Sequence, residues 1–149
     1  MKLKVGLIGG GNMGRAFIER LGRDYKVFLC EKDNKRRLAL QKIFKISSGD
    51  LGAVVLHADV LIVAVKPQDM EDVLARMRKC LAKPRLVISI AAGITTGFLQ
   101  KRLGKNARVI RAMPNMPALI GEGVTAVCRG KSAVAGDIKT ACRILGHLG

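Results

Sequence analysis

The chain has 149 residues, 49% of them hydrophobic, which is enough for one domain with a sizeable core. Its formal net charge is +16, from 27 basic and 11 acidic residues, and such an excess suits a polyanion, either nucleic acid or the phosphates of a nucleotide. The basic residues are dispersed and only 3% of residues are aromatic, which disfavours nucleic acid, and no apolar run approaches the roughly 18 residues of a membrane span.

The first element is an apolar strand, Leu3–Ile8, rather than the charged and apolar stretch of a signal peptide. It runs into Gly9-x-Gly11-x-x-Gly14, and a helix runs out of that turn with Met13, Ala16, Phe17 and Leu21 at helical spacing. Lys26–Cys30 reads as a second strand, followed by a helix from about Asn34 to Phe44. Asp50 reads as the N-cap of a short helix reaching His57. Val60–Val65 is wholly apolar, as in a strand covered on both faces, and it ends at Lys66-Pro67. Met70, Val73, Leu74, Met77 and Leu81 then mark one face of the clearest helix. Pro84 precedes a strand at Leu86–Ile90, and Thr95 or Thr96 caps a helix that Gly104 closes. Strand Arg108–Ala112, a loop from Met113 to Gly123 and strand Val124–Cys128 follow. A last helix carries Val134, Ile138, Ala141 and Leu145 and ends at Gly146. Strand and helix in alternation imply parallel βαβ units with right-handed crossovers. The expected fold is α/β: a doubly wound, mostly parallel sheet of the Rossmann dinucleotide-binding type, in one domain over residues 1–149.

In such a fold ligands sit at the carboxyl ends of the strands, and the candidate residues gather there. Gly9 permits the tight turn, Gly11 lets a pyrophosphate approach the backbone, and Gly14 lets helix and strand pack closely. The amides near Gly11, Asn12 and Met13 point at an anion from a helix N-terminus. The flanking strand and helix are what turn a weak glycine motif into a dinucleotide signature. Glu31 ends the second strand, 22 residues after Gly9, where an acid bonds the ribose diol of NAD. Lys32, Lys35 and Arg36 follow it and suit the 2′-phosphate of NADP, or simply a solvated helix face, so NAD and NADP both stay open. Lys66 either reaches a cofactor oxygen or caps local carbonyls. Ala91-Ala92-Gly93 either leaves room for a flat ring or packs closely. Asn115, between Pro114 and Pro117, either bonds a nicotinamide carboxamide or supports its own turn.

Other chemistries find little support. Cys30, Cys80, Cys128 and Cys142 lack C-x-x-C spacing, and His57 and His147 are too scattered for a metal cluster. The cysteines read as reduced thiols in a cytoplasmic protein. No Ser-His-Asp or Cys-His set is present, so no catalytic side chain is assigned. Hydride transfer needs none, because the cofactor carries the chemistry.

Four segments go beyond the generic fold. They are G-G-G-N-M-G at residues 9–14, A-V-K-P-Q at 64–68, S-I-A-A-G-I at 89–94, and R-A-M-P-N-M-P-A-L-I-G-E-G-V-T-A-V at 111–127. In that order they resemble the amino-terminal half of pyrroline-5-carboxylate reductases. The resemblance implies NADP or NAD, in reduced form, as hydride donor to 1-pyrroline-5-carboxylate, giving proline. It places Gly9, Gly11, Asn12 and Met13 at the pyrophosphate, with Gly14 in the same cofactor-binding turn, and residues around Glu31 and Lys32 at the adenosine ribose. Ala64, Val65, Lys66 and Pro67 would line the cofactor groove, with Met113, Pro114 and Asn115 near the nicotinamide. Family members continue for roughly another hundred residues, about one further domain, which is helical, forms the homo-oligomer and supplies most substrate contacts. That domain is not present in these 149 residues. Met116 stands where the family usually has Thr, so a hydroxyl gives way to a thioether. Two other readings remain: a non-catalytic NAD(P)-binding or redox-sensing module, and a nicotinamide-dependent reductase of another substrate.

Overall fold

In the computed structural model, which describes residues 1–149, strands and helices alternate. The first half contains β1 (Lys4–Ile8), α1 (Asn12–Leu21), β2 (Lys26–Cys30), α2 (Asn34–Phe44), β3 (Ser47–Ser48), α3 (Leu51–His57) and β4 (Val60–Val63). The second contains α4 (Met70–Cys80), β5 (Arg85–Ser89), α5 (Thr96–Leu103), β6 (Ala107–Pro114), β7 (Thr125–Arg129) and α6 (Ala135–Leu145). One seven-stranded sheet results, ordered β3-β2-β1-β4-β5-β6-β7. The first six strands are parallel, with Val5 level with Val27 on one side and with Val60 on the other. The doubly wound α/β fold expected from the sequence is therefore the one observed.

Alternation along the strands sorts the core into two layers. Val5, Leu7, Val60, Ile62, Leu86 and Ile88 pack with Phe17 and Leu21 of α1 and with Ile144 of α6. Leu61, Val63 and Val87, from the intervening positions, pack with Val54 of α3, Leu74 and Met77 of α4, and Leu99 of α5. Helices cover both faces, which is why β4 has no polar residue. Leu74 is fully buried, and truncating it to Ala would cost about 2–5 kcal/mol. Local signals start the helices. Asp33 accepts the Arg36 N–H ahead of α2, Asp50 accepts the Ala53 N–H ahead of α3, and Thr95 accepts the Phe98 N–H ahead of α5. Gly104, at φ 79°, closes α5. No helix is long and apolar enough to cross a membrane.

The structure departs from the sequence pattern at several places. β7 runs antiparallel to β6, pairing Pro114 with Thr125 and Ile110 with Arg129. The link between them holds only a 3-10 turn, Met116–Ile120, too short for the crossover that a parallel return requires. β3 is a two-residue strand of serines with no apolar pattern to announce it. β4 stops at Val63 rather than Val65: after Ala64 donates its N–H to Ile8, the chain leaves the sheet. Val134 does not join the buried stripe of α6 but is its exposed N-cap residue.

Candidate functional site

The glycine turn is shaped by contact. Gly9 sits at φ 101°, where side chains are strained, and a Cβ there would stand 2.5 Å from the carbonyl oxygen of Ala64. The turn thus lies flush against the end of β4. Gly14 is pressed onto the Gly9 carbonyl with no room for a side chain. At Gly11 the reverse holds, since a Cβ would meet nothing within 4 Å. Gly11 is also the N-cap of α1 and has no side chain to occupy the first-turn amides, such as those of Asn12 and Met13. The result is an open cradle of backbone N–H groups at the positive end of a helix, which suits a phosphate group. It stands where the sheet order changes direction, with β2 on one side of β1 and β4 on the other.

A groove of about 400 Å³ extends from this cradle, across the ends of β1, β2 and β4, to the first turns of α4. Among the residues expected at the site, Gly9, Gly11, Glu31, Lys32, Ala64, Val65 and Lys66 line it. Asn12, Met13 and Gly14 form the start of α1 beside it, and Pro67 follows Lys66 into a 3-10 turn, Pro67–Asp69. Met113, Pro114 and Asn115 lie outside the groove, at the carboxyl end of β6 and two strands beyond β4, a step of about 10 Å. A ligand spanning the cradle and this loop would be extended, as a dinucleotide is.

Glu31 is turned inward. Its Oε2 accepts the Gly10 N–H at 2.7 Å and its Oε1 accepts the Asp33 N–H at 2.8 Å. Arg36 Nη1 approaches Oε2 at 3.4 Å, and the Glu31 side chain is only 4% exposed. The carboxylate therefore braces the glycine turn from the end of β2. Lys32 pairs with Asp69 at 3.0 Å. Lys35 is exposed, has no carboxylate partner and does not line the groove. Asn115 accepts the Val124 N–H through Oδ1 at 2.9 Å, while its own N–H donates to the Val124 carbonyl at 3.2 Å. Its side-chain carbonyl thus supports its own loop, and the Nδ2 group makes no hydrogen bond within the chain.

Sequence reading missed the α4 wall. Asp69, Asp72, Val73 and Arg76 line the groove at i, i+3, i+4 and i+7, the same period that marks the buried face at Met70, Leu74 and Met77. It also missed Cys30 as a lining residue; burial pushes this thiol up, Arg76 pulls it down, and Glu31 and Asp50 push it up further. His57 stacks on Phe28 and His147 meets Tyr25 edge-on, so the two histidines lie apart in packing roles.

Fold and groove together define a dinucleotide-binding domain of the Rossmann class. A family model described as NADP oxidoreductase coenzyme F420-dependent matches residues 4–93, and the chain belongs to that family. It is 34% identical to a pyrroline-5-carboxylate reductase of Methanosarcina acetivorans, an alignment that covers 98% of this chain and 56% of that one. Among solved structures, a pyrroline-5-carboxylate reductase from Coxiella burnetii superposes with a TM-score of 0.93 at 28% identity, covering 100% of this chain and 57% of the other. A Plasmodium falciparum pyrroline carboxylate reductase with NADP bound gives 0.81 at 27% identity, covering 99% and 55%. The chain spans about half the length of the curated relatives it matches.

Proposed function

We propose that this chain is the cofactor-binding part of a pyrroline-5-carboxylate reductase, which uses NAD(P)H to reduce 1-pyrroline-5-carboxylate to L-proline. The observation that carries this reading is the open cradle over Gly11, bounded by two glycines that the packing requires and set at the N-terminus of α1. The relatives' names supply the substrate. In this reading the pyrophosphate lies over Gly9, Gly11, Asn12 and Met13, with Gly14 holding α1 against the turn. The adenosine ribose lies by Glu31 and Lys32, and Ala64, Val65, Lys66 and Pro67 form the flank towards β4. Met113, Pro114 and Asn115 adjoin the nicotinamide, where the unpaired Asn115 Nδ2 is the donor available to a carboxamide. A bound reduced nicotinamide supplies a hydride to the C=N carbon of the imine while the ring nitrogen takes up a proton.

Residues 1–149 form the dinucleotide-binding domain in this assignment. Substrate contacts and self-association belong to the further length that the relatives possess. A cytoplasmic setting accords with the four free cysteines, and neither a membrane nor nucleic acid is assigned as a partner. Fluorescence titration of the chain with NADH and NADPH tests the first step. Saturable binding of at least one is expected, and no binding of either at millimolar concentration would remove the reading. Imine turnover by a protein containing this domain together with the rest of the relatives' length tests the second.

A further inference from the structure

We infer that the adenosine end of the groove selects NADH over NADPH, an inference that rests on the dinucleotide-binding reading above. The lining contains four cations, Lys32, Arg36, Lys66 and Arg76. It also contains four carboxylates, Glu31, Asp33, Asp69 and Asp72. In a chain of net charge +16, this one surface balances to zero.

The cations are also engaged. Lys32 pairs with Asp69 at 3.0 Å, Arg36 with Glu31 at 3.4 Å, and Arg76 with Asp72 at 3.6 Å. Lys66 has no such pair, but it stands beyond the end of β4, across β1 from Glu31. Lys35 and Arg37, in the first turn of α2, have no carboxylate partner, but both lie outside the groove, and Arg37 is bonded to Asn34, Gln41 and Ser48.

Glu31 cannot yield its place. In this fold an acid at the end of β2 meets the ribose 2′-hydroxyl. Here the carboxylate is clamped by the N–H groups of Gly10 and Asp33, so it cannot swing aside. Asp33 stands next to it, with its own carboxylate fixed by the Arg36 N–H. A neutral diol can donate to this fixed pair of acids. A 2′-phosphate, with nearly two negative charges, would face both of them and would have to draw Lys32 or Arg36 away from an existing partner.

Equilibrium titration of the chain and two variants with NADH and NADPH tests this. The unmodified chain should bind NADH at least about tenfold more tightly than NADPH. Glu31→Gln removes the charge and should narrow that gap by strengthening NADPH. Asp69→Asn frees Lys32 on the exposed rim, leaves the clamp intact, and should strengthen NADPH relative to NADH. Should Glu31→Gln fail to fold, Asp69→Asn reads the same charge balance. NADPH binding as tightly as NADH in the unmodified chain would overturn the inference and leave the dinucleotide reading standing. Equal weakening of both cofactors by Glu31→Gln, with no gain for NADPH in Asp69→Asn, would also overturn it, because Glu31 would then only support the loop. Binding of neither cofactor by the unmodified chain would overturn both readings.

Discussion

The carbonyl oxygen of Gly9 lies directly against Gly14, in the space where any larger residue would carry its Cβ. This contact seats α1 on the end of β1 and aims its N-terminus into the groove. Gly11, two residues past Gly9, has open space where its Cβ would be. The two glycines therefore predict opposite outcomes. Gly14→Ala must displace the turn or the helix, costing about 1–3 kcal/mol of stability along with dinucleotide binding. Gly11→Ala collides with nothing in the protein and should cost no more than about 1 kcal/mol as an N-cap change. Its methyl group would nevertheless occupy the phosphate cradle and weaken binding. Urea denaturation and cofactor titration of both variants separate the effects. A Gly14→Ala chain as stable as the parent would show that the contact is not limiting.

The start of α2 should respond to acid in a defined direction. Asp33 is held below the usual carboxylate range, first by the Arg36 N–H and then by the charge of Arg36. A carboxyl whose folded pKa is lowered contributes stability that is complete above its unfolded value, about 3.9, and is lost as pH falls through the folded value. The first turn of α2 should therefore stay closed at neutral pH and open only below about pH 4. Asp33→Asn keeps an N-cap acceptor and should remove this dependence. Amide exchange at Arg36 across the acid range reads the effect directly. An unchanged acid profile in Asp33→Asn would assign the opening to another group.

At the other end of the sheet, Arg108 Nε stands 3.1 Å from both carboxylate oxygens of Asp137. Asp137 also accepts the Val134 N–H at 2.9 Å, so one carboxylate joins β6 to the first turn of α6. Its side chain is only 8% exposed. Asp137→Ala would strand the Val134 N–H and the guanidinium, and should cost about 1–3 kcal/mol. Asp137→Asn retains an acceptor and should cost less. Chemical denaturation of the pair checks this ordering, and equal losses would show that charge rather than hydrogen bonding holds the junction.

What could be read from residues alone was what local geometry demands. Gly9 and Gly14 announce their turn because backbone conformation and close approach admit no other residue type. Met70, Leu74 and Met77 announce α4 because burial has a period. The direction of β7 was not legible, since alternation from Thr125 to Arg129 is the same in a parallel or an antiparallel strand. Glu31 was legible by position but not by orientation: its partners are backbone N–H groups of Gly10 and Asp33, which leave no mark in residue identity. The α4 wall was missed for a related reason. Asp69 meets Lys32 across 37 residues of chain, and no spacing rule reaches that far.

Cys30 offers a probe of the groove without any change to the protein. The residue is half-buried in the lining, whereas Cys128 and Cys142 are exposed. Burial pushes its thiol up, so at neutral pH it holds less of the reactive thiolate than an ordinary cysteine. Iodoacetamide should therefore modify Cys128 and Cys142 first and Cys30 later, with Cys30 needing a higher pH to match them. Because Cys30 shares the groove with Glu31 and Arg76, a bound dinucleotide should slow its modification further and leave the other two unchanged. Peptide mass spectrometry over a time course, with and without NADH, follows each site separately. Cys30 labelling as fast as Cys128 would mean that the wall opens freely. Protection spread equally over Cys30, Cys128 and Cys142 would place the ligand effect on overall stability instead of on this groove.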